Sequence, residues 1–435
     1  MIRILFILAC LALPGLALPA RAELKIQQVT SPGGITAWLV EDHNIPFTAL
    51  EIQFRGGTSL DAPGKRGAVN LMAALIEEGA GDMDSVAFAE ARDALAAEFH
   101  FNAHGDGLGI SARFLTENRD AAVDLLQQAL VRPRFDQDAV DRVRGQVMSI
   151  LRSNEKDPNA LASEAFAALA YGDHPYGSVG DGTVESVTAL TRDDILAAHA
   201  AVLARDRIFV AASGDVTAEE LAVLLDRLFG ALPASGAAQQ GDAELRFAGG
   251  TTVIDFPSPQ STVLFGQKGI ARDDPDFFAA FILNEALGGG RFTARLMSEI
   301  REKRGLTYGI GTYLLNMDHA DMLMGQFSAS NDKVAEAIAV LKAEWQKAAT
   351  EGISEAELEA TKTYLVGSYP LRFNGNGAIA GILVGMQMDG LPIDYAVTRN
   401  AKIEAVTMDD IRRVAARLID PNGLLFVVVG QPEGL

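Results

Sequence analysis

The chain has 435 residues, with 57 acids against 37 bases, a formal charge of −20 and 49% hydrophobic side chains. That balance should repel nucleic acid, while the apolar share is enough for cores in two or three domains of about 150 residues each. The single cysteine is Cys10, so a chain processed beyond it has no disulfide, no thiolate metal ligand and no thiol nucleophile.

In chain order, Arg3 precedes an apolar run from Ile4 to Leu18, and Ala20-Arg21-Ala22 supplies a small-x-small cut site. These features predict a secretory signal peptide over residues 1–22, cleaved after Ala22, and hence a periplasmic or secreted protein. The run is too short to span a bilayer. Ile7-Leu8-Ala9-Cys10 is a poor lipoprotein signal because so little apolar core precedes it. Loss of Arg3 and Arg21 takes the charge from −20 to −22. The total favours solubility and leaves open whether cationic peptides are attracted. No later stretch reaches about 18 uninterrupted apolar residues, so no transmembrane segment is expected.

Residues 35–40 and 49–54 read as strands, and 68–78, 85–97, 119–131 and 138–153 as helices with apolar positions near a 3.6 period. Strand pairs followed by runs of helices predict an α+β sandwich instead of strictly alternating units. His100 and His104 are the one close histidine pair; alternation through Phe99, Phe101 and residues 108–114 places them on a strand, about 13 Å apart and unable to share an ion. Gly105-Asp106-Gly107 opposes the helix that would bring them together. His174 in His174-Pro175-Tyr176-Gly177 reads as structural, and His43, His199 and His319 are isolated.

One unit occurs twice. Val184-Glu185-Ser186-Val187-Thr188, an Asp193-Asp194 helix start and the strand segment 207–215 are matched by Ile403-Glu404-Ala405-Val406-Thr407, Asp409-Asp410 and the strand segment 424–430. Residues 232–244, rich in Ala, Gly, Gln, Ser and Pro, mark the connection. The expected organisation is a first domain over 23–235, a linker over 236–244 and a second domain over 245–435. Gly288-Gly289-Gly290 lacks the spacing of a phosphate or dinucleotide loop and reads as a helix end near Leu287 with a new start near Thr293. No Gly-x-Ser-x-Gly elbow is present.

Ile300-Arg301-Glu302-Lys303-Arg304-Gly305-Leu306-Thr307-Tyr308, preceded by Asn284-Glu285-Ala286-Leu287 and Arg295-Leu296, is the strongest motif. It resembles the Leu-Arg-x-Lys-x-Gly-Leu-x-Tyr signature of the insulinase-like M16 metallopeptidases, with Ile300 for the Leu. The resemblance covers almost the whole mature chain and implies two homologous M16-type domains, each an antiparallel-rich sheet covered by helices. It also implies that Arg301 and Tyr308 reach toward a peptide held at zinc, where a guanidinium fork and a phenol donate to a carbonyl or its oxyanion. Set against that reading, Arg301 can instead belong to a salt-bridged helix with Glu299 and Glu302, and Tyr308 can pack on a strand running from 308 to 315.

Where the family carries His-x-x-Glu-His, the helix after Lys65-Arg66-Gly67 has Asn70, Ala73 and Ala74. Two imidazoles one turn apart and a general-base Glu are what that chemistry needs, and alanines supply neither. The region of the third ligand, residues 142–152, has no acid before Glu155. Glu77 and Glu78 diverge by about 100° and read as helix-end charges. The resemblance therefore implies a non-catalytic subunit with no metal or cofactor of its own, paired as a heterodimer with an His-x-x-Glu-His paralogue that holds the zinc, both chains closing around a peptide. Two alternatives stay open: a scaffold or assembly protein without a peptidase role, and a residual metallopeptidase with an unrecognised site.

Overall fold

A computed structural model describes residues 25–435; the expected leader and Cys10 lie outside the described residues. The strands are β1 (Gln27–Thr30), β2 (Thr36–Glu41), β3 (Phe47–Arg55), the short β4 (Gly79–Ala80) and β5 (Met83–Asp84), β6 (Glu98–His104), β7 (Gly107–Leu115), β8 (Ile208–Gly214), β9 (Gly250–Asp255), β10 (Gln260–Lys268), β11 (Ile310–Met317), β12 (Ala320–Ser330) and β13 (Leu425–Gly430). The helices are α1 (Ala68–Leu75), α2 (Ser85–Ala94), α3 (Arg119–Val131), α4 (Gln137–Asn154), α5 (Pro158–Tyr171), α6 (Val184–Ala189), α7 (Arg192–Val202), α8 (Ala218–Phe229), α9 (Phe277–Leu287), α10 (Val334–Glu351), α11 (Glu355–Ser368), α12 (Asn376–Met388), α13 (Tyr395–Ala405) and α14 (Met408–Leu418).

The fold is α+β, and its repeat is written in the sheets. The first has the order β1-β2-β8-β3-β7-β6 and the second β11-β12-β10-β13-β9. Reversed, the second sheet reproduces the first strand for strand, with β1 as the addition. Even the mixed character repeats: β2 runs parallel to β8 and β9 parallel to β13, and the remaining pairs are antiparallel. Strands β8 and β13 lie inside their sheets with both faces covered, which is why Val210-Ala211-Ala212 and Phe426-Val427-Val428-Val429 are continuous apolar runs, every one of these residues fully buried. At the outer edge, β6 alternates instead, with Phe99 inward and Glu98 and His100 outward.

Helices α1, α3, α4, α7 and α8 cover one face of the first sheet, and α9, α10, α11 and α14 one face of the second. The opposite faces are closed by exchange. Helix α5 of the first half lies on β10 and β13, packing Ala162, Phe166 and Ala170 against Leu264, Met324, Val427 and Val429. Helix α12 of the second half lies on β8 and β3, where Leu383, Val384 and Met386 meet Trp38, Val40 and Ala211. Residues 231–249 have no regular structure, yet Leu232 is buried in the first core and Leu245 and Phe247 pack beneath α5.

Helix ends follow local chemistry. Three residues are trimmed from the expected 85–97 helix because Ala96 takes φ +48 and the Ala97 N–H turns back to the Arg92 carbonyl. Capping boxes begin α7 (Thr191 with Asp194) and α14 (Thr407 with Asp410), the two copies of the repeat. The Thr407 hydroxyl, then its N–H and Arg413, hold the Asp410 carboxyl down to about 2. Its stabilising contribution is therefore complete above the unfolded value of about 3.9 and is lost as pH falls toward the folded value. Asp410→Asn is expected to flatten that part of an acid titration followed by circular dichroism. Thr407→Ala should cost about 1 kcal/mol in urea unfolding at neutral pH.

Candidate functional site

Gly67 opens α1 with φ +94, at a point where a Cβ would lie 2.6 Å from the Asp181 carbonyl oxygen. The Asp61 carboxylate accepts from the Gly67 and Val69 N–H groups at 2.9 and 2.8 Å, substituting for a capping side chain. Burial pushes that carboxyl up, and the two N–H groups and Arg66 pull it back. The helix so positioned packs on α4, α7 and the edge strand β6. On it Asn70 is half-buried, Ala73 is 4% exposed and Ala74 faces solvent. Asn70 and Ala74, one turn apart on the same side, present a carboxamide and a methyl group. Helix α4, on which α1 packs, exposes Gln146, Ser149 and Ile150. These residues do not fit a zinc ion. Among the described residues no three His, Cys, Asp or Glu side chains converge as a metal-ligand group.

The neighbouring acids are committed. Glu77 pairs with Arg92, and Glu78 makes a bidentate pair with Arg142 at 3.0 and 2.5 Å. Burial, opposed by Arg92, pushes the Glu77 carboxyl up. His100 and His104 lie on strand β6, as the alternation predicts. His174 is structural: its Nδ1 accepts from the Tyr176 N–H at 3.2 Å, and its ring sits 4.5 Å from that of Tyr176.

The Arg301 segment has a different character. Residues Met297–Glu302 form a π-helical turn, with the Lys303 N–H bonded to the Ser298 carbonyl and Leu306 N–H to Ile300. Met297, Ile300 and Leu306 anchor it in the second core. Gly305, at φ +60, then turns the chain. Thr307 pins the exit, its hydroxyl donating to the Ser328 carbonyl at 2.6 Å and accepting from the Gly309 N–H at 3.1 Å. The strand begins at Ile310, two residues after Tyr308, and so Tyr308 does not pack on it; the side chain is 86% exposed. Glu299 is taken by Lys303 at 2.5 Å and Arg304 at 2.8 Å, which leaves Arg301 outside the salt-bridged helix face. Its guanidinium lies 4.7 Å above the exposed ring of Phe292. The base is anchored in the core, and neither the Arg301 nor the Tyr308 side chain is hydrogen-bonded or ion-paired to the described residues.

Beside Tyr308 a groove of about 470 Å³ opens on the inner face of the second sheet. Gly309 just before β11, Gly311 within it, Gln326 and Ser328 of β12 and Thr262 of β10 lie along it, with Asn159 of α5 at one side. The two sheet edges differ. At β11 the Thr312 N–H donates to the Gly288 carbonyl at 2.7 Å and its carbonyl accepts from the Asn284 side chain at 3.3 Å. At β6, among the described residues, only β7 hydrogen-bonds to the backbone of residues 98–104.

The family model described as insulinase (peptidase family M16) matches residues 37–180, and that described as the peptidase M16 inactive domain matches 189–365. The chain belongs to the M16 peptidase family. A non-peptidase homolog of Helicobacter pylori is 25% identical over 420 residues, covering 96% of this chain and 97% of its own. An uncharacterized zinc protease of Streptomyces coelicolor is 26% identical, with 93% and 89% covered. The crystal structure of a peptidase M16 inactive domain from Pseudomonas fluorescens has a TM-score of 0.88 at 28% identity, covering 94% of this chain and 98% of that one.

Within the M16 family this chain is of the type that lacks its own zinc motif, and it does not carry the groups for M16 peptide hydrolysis by itself. No helix among the described residues is long and apolar enough to cross a membrane. Sequence reasoning missed Phe292 and Asn159. Asp157-Pro158, a cap followed by proline at the first helical position, announced the helix bearing Asn159, but no local signal says that this helix reaches the other sheet.

Proposed function

We propose that this chain is the non-catalytic subunit of a two-chain M16 zinc metallopeptidase of the cell envelope, pairing with an His-x-x-Glu-His paralogue. Arg301 and Tyr308 would serve the partner's zinc, stabilising the oxyanion that forms when the metal-activated water adds to a peptide carbonyl. One observation supports this above the others. The motif segment is locked at Ile300, Leu306 and Thr307, whereas Arg301 and Tyr308 make no hydrogen bond or ion pair to the described residues through their side chains. Stability alone gives no reason to hold an exposed phenol and an unpaired guanidinium on so rigid a base.

On this reading an extended peptide adds to a sheet edge and is recognised through its backbone more than its sequence. The open β6 edge is the candidate for that strand. Native mass spectrometry of the purified chain mixed with its closest His-x-x-Glu-His homologue tests the pairing: a 1:1 complex is expected. Persistent homodimers or monomers, with no mixed species at micromolar concentrations, would favour the scaffold reading.

A further inference from the structure

The groove beside Tyr308 is uncharged in a chain where acids and bases total 22% of residues and acids predominate. Its lining consists of hydroxyls, amides, aromatic rings and bare glycine. Among the described residues, the side-chain polar groups of Thr262, Gln326, Ser328 and Tyr313 make no hydrogen bond, so all four are free for a guest. Asp157, two residues before Asn159, is committed to capping α5, accepting from the Asn159 N–H at 2.9 Å.

The floor has room that its sequence leaves unused. A Cβ on Gly309 would meet nothing nearer than the Met297 methyl at 3.9 Å, and one on Gly311 nothing nearer than the Gly288 carbonyl at 3.6 Å. Neither glycine has a positive φ, so neither is there for backbone strain. β-branched residues are favoured in strands, so the bare Gly311 within β11, with Gly309 just before it, leaves space for something else.

The geometry points to a binding site for an extended peptide segment with uncharged side chains. This rests on the reading of Tyr308 as a peptide-contacting residue and names the class of peptide selected. Gly309, the residue before β11, and Gly311 within it are two positions apart, the interval at which an extended peptide presents alternate side chains to one face. The free amide and hydroxyls of Gln326, Ser328 and Thr262 bond neutral groups. A lysine or glutamate side chain brought into the groove loses water without meeting a countercharge.

The test is calorimetric titration of the full mature chain with three ten-residue peptides: one rich in Ser, Gln and Tyr, and two in which two central residues are Lys or Glu. The neutral peptide should bind at least tenfold tighter than either charged form, with affinity constant between pH 5.5 and 8.5. Gln326→Glu should shift the preference toward the Lys peptide, and Gly311→Val should abolish binding while the melting temperature is kept. Equal binding of all three peptides, indifference to both substitutions, or binding of a neutral oligosaccharide and no peptide would each overturn the assignment. Because this chain is titrated alone, a negative result leaves the shared-zinc reading to be decided separately by hydrolysis in the mixture.

Discussion

Arg301→Ala lowers kcat of the mixed, zinc-bearing complex about 10²–10³-fold on the shared-site proposal, the loss seen when a single oxyanion donor is removed. The fold should not register the change. Arg301 is half-exposed, and its recorded partner is the exposed Phe292 ring, a contact worth about 0.5–1 kcal/mol in water. Tyr308→Phe removes a neutral donor and should cost about tenfold in kcat, with KM little changed. By contrast, Arg295→Ala breaks a bidentate pair with Glu357 at 2.9 and 2.7 Å and should lower the melting temperature, since that arginine is used within the chain. Steady-state kinetics of the mixture, with melting curves of each variant, separates the two kinds of arginine.

Phe166→Ala is expected to destabilise the whole chain by about 3–5 kcal/mol, the range for deleting a buried phenylalanine. The ring is 1% exposed on the exchanged helix α5, and its tip sits 2.8 Å from where a Cβ on Gly266 would be. The consequence reaches both halves because α5 belongs to one and seals the sheet of the other. The chain's two tryptophans report the halves separately: Trp38 lies on β2 beneath α12, and Trp345 is fully buried on α10, bonded to Gln267. In urea, single-tryptophan variants should show coincident transitions at these two probes, both moved to lower denaturant by Phe166→Ala. Separate transitions would mean that the exchanged helices do not couple the halves.

Much of this architecture can be read locally. The apolar run Ile208–Ala212, the Thr407/Asp410 box and the amphipathic α3 and α4 state their structure within a dozen residues, and the repeated helix-strand unit shows that two similar layers exist. What cannot be read is which layer a helix covers. Helix α5 is alanine-rich with no sharply polar side, and its register on Leu264 and Val427 is set by residues about a hundred and more than 250 positions away. The candidate site divides the same way. Asn70, Ala73 and Ala74 declare a missing chemistry by residue type alone. That Arg301 is released while Lys303 and Arg304 capture Glu299 depends on the π-helical turn, which no simple periodicity announces.

The most direct measurement is peptide hydrolysis with zinc quantification for this chain alone, for its closest His-x-x-Glu-His homologue alone, and for the two together. The account predicts zinc in the homologue, little activity in either chain alone, and hydrolysis in the mixture that Arg301→Ala lowers about 10²–10³-fold. Zinc and hydrolysis in this chain alone, or a mixture no more active than the homologue by itself, would contradict it.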